Sequence, residues 1–352
     1  MTMPSAPRYI FAKEHPEVMQ MSAGDRPGIE RYLLEQRMVE PGELPATVEP
    51  AGSGNMNLTL RVILRARSLI LKQGRPWVEK YDHIEAPWER TLIEGLFYET
   101  VRDHAAVSGR MPTLLRLDER HHLLVLSDAG RGGDFTSIYS HGAISQETLR
   151  ELLDWLKALG EVSAPDPAKN KLANRSMRVL NHEHMFRLPL AAESRLGLDN
   201  ITSGLEAAAT DLKRDDVYAA RVRDLGSRYL ADGASLVHGD YFPGSWIRAI
   251  DSVRIIDPEF CFLGAREFDY GVMLAHLALA CATKDPAEEV LTAAGDERLD
   301  ERLVLGLAGV EIMRRLIGVA QLPLTCGLDV KRRLLDVSRC LVLTPERGLL
   351  CW

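Results

Sequence analysis

Two short apolar segments of the chain each run directly into acidic residues. The first reads LVHGD and ends at Asp240, and the second reads VRIIDPE and ends at Asp257 and Glu259. A polar turn separates Trp246 from the second segment, so this stretch is predicted to form a short hairpin. Asp240 and Asp257 flank the hairpin, and rigid strand ends would hold their carboxylates toward a common cleft.

The spacing of these acidic residues favours a cation site. Asp257 and Glu259 lie two residues apart, so in an extended segment both side chains would face the same way, and Pro258 would stiffen that spacing. Together with Asp240 they would make three converging carboxylates, which repel one another without a cation. Mg²⁺ prefers such oxygen ligands and usually binds together with phosphate. The alternative is that all three are solvated loop carboxylates.

The N-terminal third is predicted to form short strands. Residues 58–64 read LTLRVIL, which alternates as a half-buried strand does, and SLILKQ follows after a polar turn, its apolar run ending at Lys72. Two such runs around a short turn indicate an antiparallel hairpin. The preceding AGSGNMN contains Gly52 and Gly54, which would let the backbone pass close to a bulky group; a simple turn is the alternative.

Lys72 is predicted to be paired or to serve a ligand, because an unpaired buried ammonium group is costly. A helix is expected from about residue 87 to 101, and Glu94 on it could pair with Lys72; the alternative is a solvated carboxylate. Residues 121–130, HHLLVLSDAG, indicate a strand that stops at Asp128 and enters a Gly-rich hinge.

The rest of the chain is predicted to be mostly helical. Ser145 can cap a helix that stops at Gly160, with leucines along one face. Further helices are expected at about 177–186, from 269, at about 299–320 and at about 330–342. Strands first and helices later predict an α+β chain with two lobes, divided as residues 1–127 and 128–352.

Composition excludes several classes of protein. The 352 residues carry a formal net charge of −7, which argues against a broad nucleic-acid surface. No apolar stretch reaches the roughly 18 residues that a membrane span needs. The five cysteines form no C-x-x-C pair, and the N-terminus lacks a signal-peptide pattern, so a cytoplasmic protein with reduced thiols is expected. The oligomeric state is open, with a homodimer as one option.

The motifs together resemble a known family. H-G-D-x4-S at residues 238–245 and D-P-E at 257–259 are similar to the catalytic loop and metal motif of protein-kinase-like small-molecule phosphotransferases, the aminoglycoside phosphotransferase and choline kinase superfamily. The Gly-Ser pair and D-P-E are most similar to the 5-methylthioribose kinase subfamily. Matching segments occur in order along the chain: SGNMN at 53–57, LILKQ at 69–73, IDPEFCFLGAREFDYG at 256–271 and VEIMRRLIG at 310–318.

The chain departs from the family pattern in its Gly-rich loop, which lacks the third glycine of G-x-G-x-x-G, in its shorter length than 5-methylthioribose kinases, and at two further places. Ser245 stands where the superfamily usually has asparagine. Tyr241, Phe242 and Pro243 form an aromatic, apolar run where 5-methylthioribose kinases have smaller or more polar residues.

The resemblance implies a two-lobed protein-kinase-like fold, with a small antiparallel-sheet N-lobe and a larger helical C-lobe, and phosphoryl transfer from ATP with Mg²⁺. The residues that it implies for nucleotide binding are Gly52, Gly54, Asn55, Asn57, Lys72, Glu94 and, through nearby backbone groups, Asp128. The residues that it implies for transfer are Asp240 as acceptor of the hydroxyl proton, Lys72 on the phosphates, Ser245 in the catalytic loop, and Asp257 and Glu259 on Mg²⁺. His238 and Asp269 would brace the loop by hydrogen bonds.

Arg314 and Arg315 are the candidate substrate-binding residues. Neighbours on a helix point about 100° apart, so at most one arginine is expected to face the cleft squarely. That guanidinium would bind substrate hydroxyls or developing phosphate charge. The alternative is a surface ion pair with Glu311.

The leading hypothesis is an ATP-dependent kinase for a hydroxyl of a small sugar resembling 5-methylthioribose. A kinase for another small alcohol, such as an aminoglycoside, an amino alcohol or a different pentose, is the second. A nucleotide-binding pseudokinase that acts as a scaffold is the third.

Overall fold

A computed structural model of the chain describes residues 6–40, 42–43, 45–52, 54, 56–142, 144–192, 196–250, 252–281, 285–295 and 299–350. The chain divides into two compact units. The first comprises Met1–Arg102 with Met111–Ala129, and the second comprises Asp103–Arg110 with Gly130–Trp352. The boundary between residues 127 and 128 stays a prediction for the functional domains.

The first unit is built around one antiparallel sheet. Its elements in chain order are α1 (Ala6–Glu14), α2 (Arg26–Glu35), β1 (Thr47–Pro50), β2 (Leu58–Ile63), β3 (Ser68–Gln73), β4 (Trp77–Val78), β5 (Tyr81–Glu85), α3 (Arg90–Val101), β6 (Leu114–Asp118) and β7 (Leu123–Ser127). The five-stranded sheet has the order β1-β2-β3-β7-β6, and β4 pairs separately with β5.

The two faces of this sheet are covered by different helices. Alternate residues of β2, β3 and β7 form one apolar face, which packs on Ile29 and Leu33 of α2. Side chains of successive strand residues point to opposite faces, so Lys72 lies on the other face, next to Leu124 in register. Leu124 packs against Gly95 of α3, which places α3 on the Lys72 face.

The second unit is mainly helical. Its helices are α4 (Ala105–Ser108), α5 (Ile138–His141), α6 (Gln146–Gly160), α7 (Asp166–Leu172), α8 (Arg175–His182), α9 (Leu198–Ile201), α10 (Leu205–Lys213), α11 (Asp216–Leu230), α12 (Glu267–Leu279), α13 (Pro286–Ala294), α14 (Glu301–Ile317) and α15 (Leu328–Leu343). Its strands are β8 (Ser235–Val237), β9 (Trp246–Arg248), β10 (Val253–Ile255) and β11 (Phe262–Gly264). A π-helical turn (Glu183–Arg187) and four 3₁₀ turns (Leu188–Leu190, Pro243–Ser245, Pro258–Phe260 and Arg347–Leu350) complete its described elements.

Helices α12 and α14 form the centre of the second unit. All residues of α12 are buried, and α14 is buried from Leu303 to Ile317. The two helices approach closely at Gly271, where an added Cβ would lie 2.9 Å from the Cβ of Leu307. Two small antiparallel pairs, β8 with β11 and β9 with β10, carry the acidic loops that connect these strands.

The α+β fold class predicted from sequence is confirmed, and the strands and helices are largely where the patterns placed them. The first hairpin is β2 and β3, and the hairpin after Asp240 is β9 and β10. Ser145 caps α6 by accepting the N–H of Thr148 at 3.0 Å. A cap of this kind contributes roughly 1 kcal/mol. Every helix in the described ranges is too short or too polar to cross a membrane.

One local prediction is wrong. Residues 257–259 are not extended: Asp257 has a φ of 66°, and Pro258–Phe260 form a 3₁₀ turn. A positive φ is uncommon for any residue except glycine, and the sequence pattern did not show it. Of the five cysteines, Cys281, Cys326 and Cys340 are free thiols, Cys261 is buried, and Cys351 lies outside the described residues.

Candidate active site

The predicted pair of Lys72 and Glu94 is present in the first unit. Lys72 Nζ lies 2.6 Å from Glu94 Oε2, and the two side chains are 3% and 0% exposed. Burying two charges costs several kcal/mol each, so such a pair is weak evidence for stability as such. The ion pair does, however, hold the Lys72 ammonium group in one position beside strand β3.

The glycine-containing loop before β2 is held by an arginine that the sequence analysis missed. Gly52 has a φ of 80°, which suits glycine. Asn57 is buried, and its Oδ1 accepts from Arg90 Nε at 2.8 Å. Arg90 also donates to the carbonyl of Met56 at 2.7 Å. The predicted nucleotide residue Asn55 lies outside the described residues.

The Asp128 side chain is engaged within its own unit. Its carboxylate accepts from Arg61 Nε at 2.7 Å, from Arg61 Nη2 at 3.1 Å and from the Ser68 hydroxyl at 2.6 Å. These contacts join the ends of β2, β3 and β7. The role predicted for this position, through nearby backbone groups, does not depend on the carboxylate.

The HGD loop of the second unit is braced by hydrogen bonds, as expected. Asp269 accepts the backbone N–H of His238 at 2.6 Å and that of Gly239 at 2.9 Å. Burial raises the pKa of Asp269 to about 7, and these two N–H groups oppose the rise. The His238 ring bridges the loop to the second acidic segment, with Nε2 2.9 Å from the Ile256 carbonyl and Nδ1 3.3 Å from the Asp240 N–H.

Gly239 lets the two acidic loops approach each other. Its φ is 86°, and an added Cβ would lie 2.0 Å from the carbonyl oxygen of Phe260. Only glycine fits such a contact without movement of the backbone. The position of Asp240, one residue later, is therefore tied to the D-P-E turn.

Ser245 closes the loop that begins at Asp240. Its hydroxyl donates to the Asp240 carbonyl at 2.9 Å, and its N–H donates to the Phe242 carbonyl at 2.8 Å. The residue is only 2% exposed. The Ser245 hydroxyl therefore donates its hydrogen bond within the loop, and its oxygen can still accept a hydrogen bond.

The predicted metal ligands, Asp257 and Glu259, lie at the same short turn. No group of three or more His, Cys, Asp or Glu in the described residues has the arrangement of a metal site. Asp240 lies against two arginines, and the charge of Asp257 is close enough to contribute to the raised pKa of Asp240, so the convergence of Asp240 with Asp257 and Glu259 stays a prediction. Mg²⁺ is commonly held by one or two carboxylates with phosphate and water, and the two hard oxygen donors here fit that set.

Both arginines of α14 point at Asp240. Arg314 Nη2 lies 3.6 Å and Arg315 Nη2 3.5 Å from Asp240 Oδ1, and the Asp240 side chain is 26% exposed. Burial raises the pKa of Asp240 above its usual range, and the positive charges of Arg315 and Arg314 oppose this. The expectation that at most one arginine would face the site is wrong, because both long side chains bend toward one carboxylate.

The alternative of a surface ion pair with Glu311 is also wrong. Glu311 does pair with both arginines, accepting from Arg314 Nε at 2.5 Å and from Arg315 Nε at 2.7 Å, but its side chain is fully buried. His276 contacts Glu311, and Tyr139 contacts His276. Neither residue was predicted from the sequence as a functional candidate. His276 had a readable signal, since a single imidazole in the apolar segment GVMLAHLALA needs a buried partner.

These features define a class of protein. A five-stranded antiparallel sheet that carries a buried Lys-Glu pair, and a helical unit that carries the braced HGD loop, define a kinase-like small-molecule phosphotransferase. Residues 47–305 match the model of the phosphotransferase enzyme family, and the chain belongs to that family. It is a small-molecule kinase.

Several curated proteins that are similar to this chain are methylthioribose kinases. The chain is 26% identical to the methylthioribose kinase of Exiguobacterium sibiricum, over 86% of this chain and 89% of that protein. It is 25% identical to the enzyme of a Geobacillus species, over 85% and 84% of the two chains. Methylthioribose kinase 1 of Oryza sativa is 27% identical over 69% of this chain and 59% of its own length.

Solved structures of other phosphotransferases share the fold. A spectinomycin phosphotransferase bound to ADP and spectinomycin aligns with a TM-score of 0.53 at 12% identity, over 90% of this chain and 98% of that chain. An ethanolamine kinase of Plasmodium vivax aligns with a TM-score of 0.52 at 12% identity, over 97% and 90%. At this identity the likeness concerns the fold alone.

Proposed function

We propose that this kinase transfers the γ-phosphoryl group of ATP, with Mg²⁺, to a hydroxyl of a small sugar resembling 5-methylthioribose. The observation that carries the proposal is the Asp240 carboxylate, held on a braced loop with Arg315 and Arg314 at 3.5 and 3.6 Å. The methylthioribose kinases that resemble most of the chain support the choice of sugar.

Asp240 is the proposed acceptor of the hydroxyl proton. As the bond between the acceptor oxygen and the γ-phosphorus forms, the bond to the β,γ-bridging oxygen breaks, and the hydroxyl proton passes to the Asp240 carboxylate. Arg314 and Arg315 favour the ionised carboxylate, which is the form that can accept a proton. His238, Asp269 and the Ser245 hydroxyl hold the loop and so orient that carboxylate.

Lys72 is the proposed contact for the phosphates of ATP, oriented by Glu94. The loop that contains Gly52, Gly54, Asn55 and Asn57 and the backbone near Asp128 are proposed to complete nucleotide binding. Asp257 and Glu259 are the proposed metal ligands. They would hold a divalent cation, which would supply positive charge against the phosphate oxygens.

The charges near Asp240 favour a neutral acceptor. The cluster of Asp240, Glu311, Arg314 and Arg315 holds two carboxylates and two guanidiniums, so its formal charges cancel. A neutral polyol offers oxygens that guanidinium N–H groups can bind, whereas a cationic acceptor gains no net attraction from a cluster whose formal charges cancel.

An ADP-release screen over 5-methylthioribose, other pentoses, amino alcohols and aminoglycosides tests this proposal. We expect the highest kcat/KM with 5-methylthioribose or a close analogue. If the best acceptor is a cation, the assignment of a sugar substrate is contradicted, and only the assignment as a small-molecule kinase remains. Nucleotide binding without turnover on any acceptor would favour the pseudokinase.

Activity is expected to need Mg²⁺ or Mn²⁺, and Glu259→Gln should raise the metal concentration required. The amide keeps the size of the side chain but removes the charge that holds the cation. Metal titrations of the initial rate at saturating ATP measure the effect. The control is Glu267→Gln, a similarly buried carboxylate in the next segment, which accepts a backbone N–H from Asp300. Identical titrations for Glu259→Gln and wild type would remove Glu259 from the metal site.

Arg314→Ala and Arg315→Ala should each reduce kcat/KM for the acceptor at least about tenfold, equal to about 1.4 kcal/mol of transition-state stabilisation. Each removes one guanidinium from Asp240, while Glu311 keeps the other. The KM for ATP should change much less. Steady-state kinetics with each substrate varied in turn measure this, and Arg221→Ala, an exposed residue of α11, is the control. Wild-type kinetics in both variants would exclude the arginines from acceptor binding.

A further inference from the structure

Tyr139 and His276 form a buried line of hydrogen bonds that leads, through Glu311, to the arginines at Asp240. The Tyr139 hydroxyl lies 2.5 Å from His276 Nδ1, and His276 Nε2 lies 3.0 Å from Glu311 Oε1. His276 and Glu311 are fully buried, and Tyr139 is 6% exposed. The proposed roles in ATP and acceptor binding use neither Tyr139 nor His276.

The protons on this line can be assigned from charge and burial. Burial alone would raise the pKa of Glu311, but Arg314, Arg315 and His276 outweigh it and hold that pKa well below the usual range. Burial lowers the pKa of His276 to about 4, so the ring is neutral near pH 7. The ionised Glu311 can only accept, so His276 Nε2 carries the proton and Nδ1 accepts from the Tyr139 hydroxyl.

The Glu311 oxygen that His276 contacts is shared by both arginines. Glu311 Oε1 accepts from Arg315 Nε at 2.7 Å and from Arg314 Nη2 at 3.1 Å. Any movement of Glu311 Oε1 would therefore shift the positions of both guanidinium groups together. The Nη2 atoms of the same guanidiniums lie 3.5 and 3.6 Å from Asp240 Oδ1.

Phe242 restrains the same group from the catalytic loop. Its ring centroid lies 4.9 Å from Arg315 Cζ and 5.3 Å from the centroid of the His276 ring. An added Cβ on Gly244 would meet the Phe242 ring at 2.4 Å, so the ring lies directly on that glycine. Neither Arg315 nor His276 can rotate far without displacing this ring.

We propose that His276 and Tyr139 are positioning residues for phosphoryl transfer: through Glu311 they hold Arg314 and Arg315 on the Asp240 carboxylate. This rests on the proposed function of Asp240 as acceptor of the hydroxyl proton. Arginine side chains have many rotamers, and a displacement of about 1 Å can lower a rate about 10²-fold. The hydrogen bonds from Tyr139 through His276 to Glu311 limit such displacement of the two guanidiniums.

The test compares kcat, KM and thermal stability in three variants. Tyr139→Phe, which removes one hydroxyl, should lower kcat about 3- to 10-fold, and His276→Phe at least about tenfold. His276→Gln should recover part of the loss, because its amide can still donate to Glu311. The KM for ATP should stay within about twofold of wild type, since nothing on this line is proposed to bind nucleotide.

A matched control separates positioning from general loss of stability. Tyr218 is another buried tyrosine of this unit, and its hydroxyl lies 2.8 Å from the Ser338 hydroxyl. Tyr218→Phe should lower the Tm about as much as Tyr139→Phe but leave kcat unchanged. Equal losses of kcat in these two variants would overturn the proposal.

A double-mutant cycle shows whether His276 acts through the arginines. In an Arg315→Ala background, His276→Phe should lower kcat much less than it does in the wild type. Additive losses would contradict action through Arg315.

These measurements are made on the best acceptor in the screen, so failure of the 5-methylthioribose assignment leaves them valid. If no acceptor is turned over, NMR of the arginine Nε–H groups decides the question. The signals of Arg314 and Arg315, assigned from Lys variants, should shift in Tyr139→Phe and stay in place in Tyr218→Phe. Unshifted signals in Tyr139→Phe, or wild-type kcat in an active Tyr139→Phe and His276→Phe, would overturn the proposal.

Discussion

Asp240→Asn is expected to lower kcat about 10²- to 10⁴-fold and to leave the Kd for ATP within about threefold of wild type. The amide keeps the shape of the side chain but cannot accept the hydroxyl proton. It also removes the negative charge opposite Arg314 and Arg315. Single-turnover rates and nucleotide titrations measure the two effects separately.

Asp232→Asn is the matched control for this change. Asp232 is an exposed carboxylate of the same unit and pairs with Arg175 and Arg178 rather than with the loop. It should keep wild-type kcat. Turnover of Asp240→Asn within threefold of wild type would remove Asp240 from its proposed role.

Glu311→Gln is expected to lower the free energy of unfolding by about 3–5 kcal/mol, the usual cost of leaving a buried charge without its partner. Arg314 and Arg315 are 7% and 6% exposed, so water cannot replace the lost carboxylate. Such a change is a large part of the roughly 5–15 kcal/mol that stabilises most proteins. Urea unfolding of the two proteins at pH 7 measures it.

The difference in the free energy of unfolding between wild type and Glu311→Gln should depend on pH in a definite direction. Burial raises the pKa of Glu311, but Arg314 and Arg315 outweigh it and hold that pKa well below its usual range. The stabilisation is therefore complete above the unfolded pKa of about 4.3 and is lost as the pH falls toward the folded pKa. The gap between wild type and Glu311→Gln should narrow below about pH 4.

Glu301→Gln is the control on the same helix, because Glu301 forms an exposed ion pair with Arg347. Its effect on unfolding should be much smaller. A change of under about 1 kcal/mol for Glu311→Gln would show that the two arginines do not need the buried carboxylate.

Local periodicity predicted most of the elements that carry the candidate site. Alternation at residues 58–73 gave β2 and β3, and leucines at helical spacing after Ser145 gave α6. Helices α10 and α11 were not predicted from the sequence. Helix α10 follows Gly204 without a side-chain cap, whereas α11 had a signal, with Asp215 as cap and Tyr218 and Val222 on its buried face.

The pairing of charged residues was predictable only where the backbone fixed it. Lys72 lies on a strand, and alternation places it on one face, where Glu94 was the nearest candidate. The helical position of Arg314 and Arg315 led to the wrong prediction that at most one of them would face the site. Side chains with four rotatable bonds can reach one carboxylate from positions about 100° apart on a helix.

Long-range contacts were not predictable from sequence. Tyr139 and His276 are separated by 137 residues, and Arg90 and Asn57 by 33. Sequence patterns show that a buried polar group needs a partner but do not say which one. The positive φ of Asp257 is set in the same way by its surroundings in the fold rather than by a local signal.

Phosphorylation of 5-methylthioribose tests the central claim most directly. Purified protein is incubated with 5-methylthioribose, ATP and Mg²⁺, and the sugar is followed by mass spectrometry, with Asp240→Asn in parallel. The predicted result is a product heavier by one phosphoryl group, formed at a rate that saturates with the sugar and is nearly absent with the variant. An unmodified sugar, together with efficient phosphorylation of a cationic alcohol by the same protein, would contradict the account.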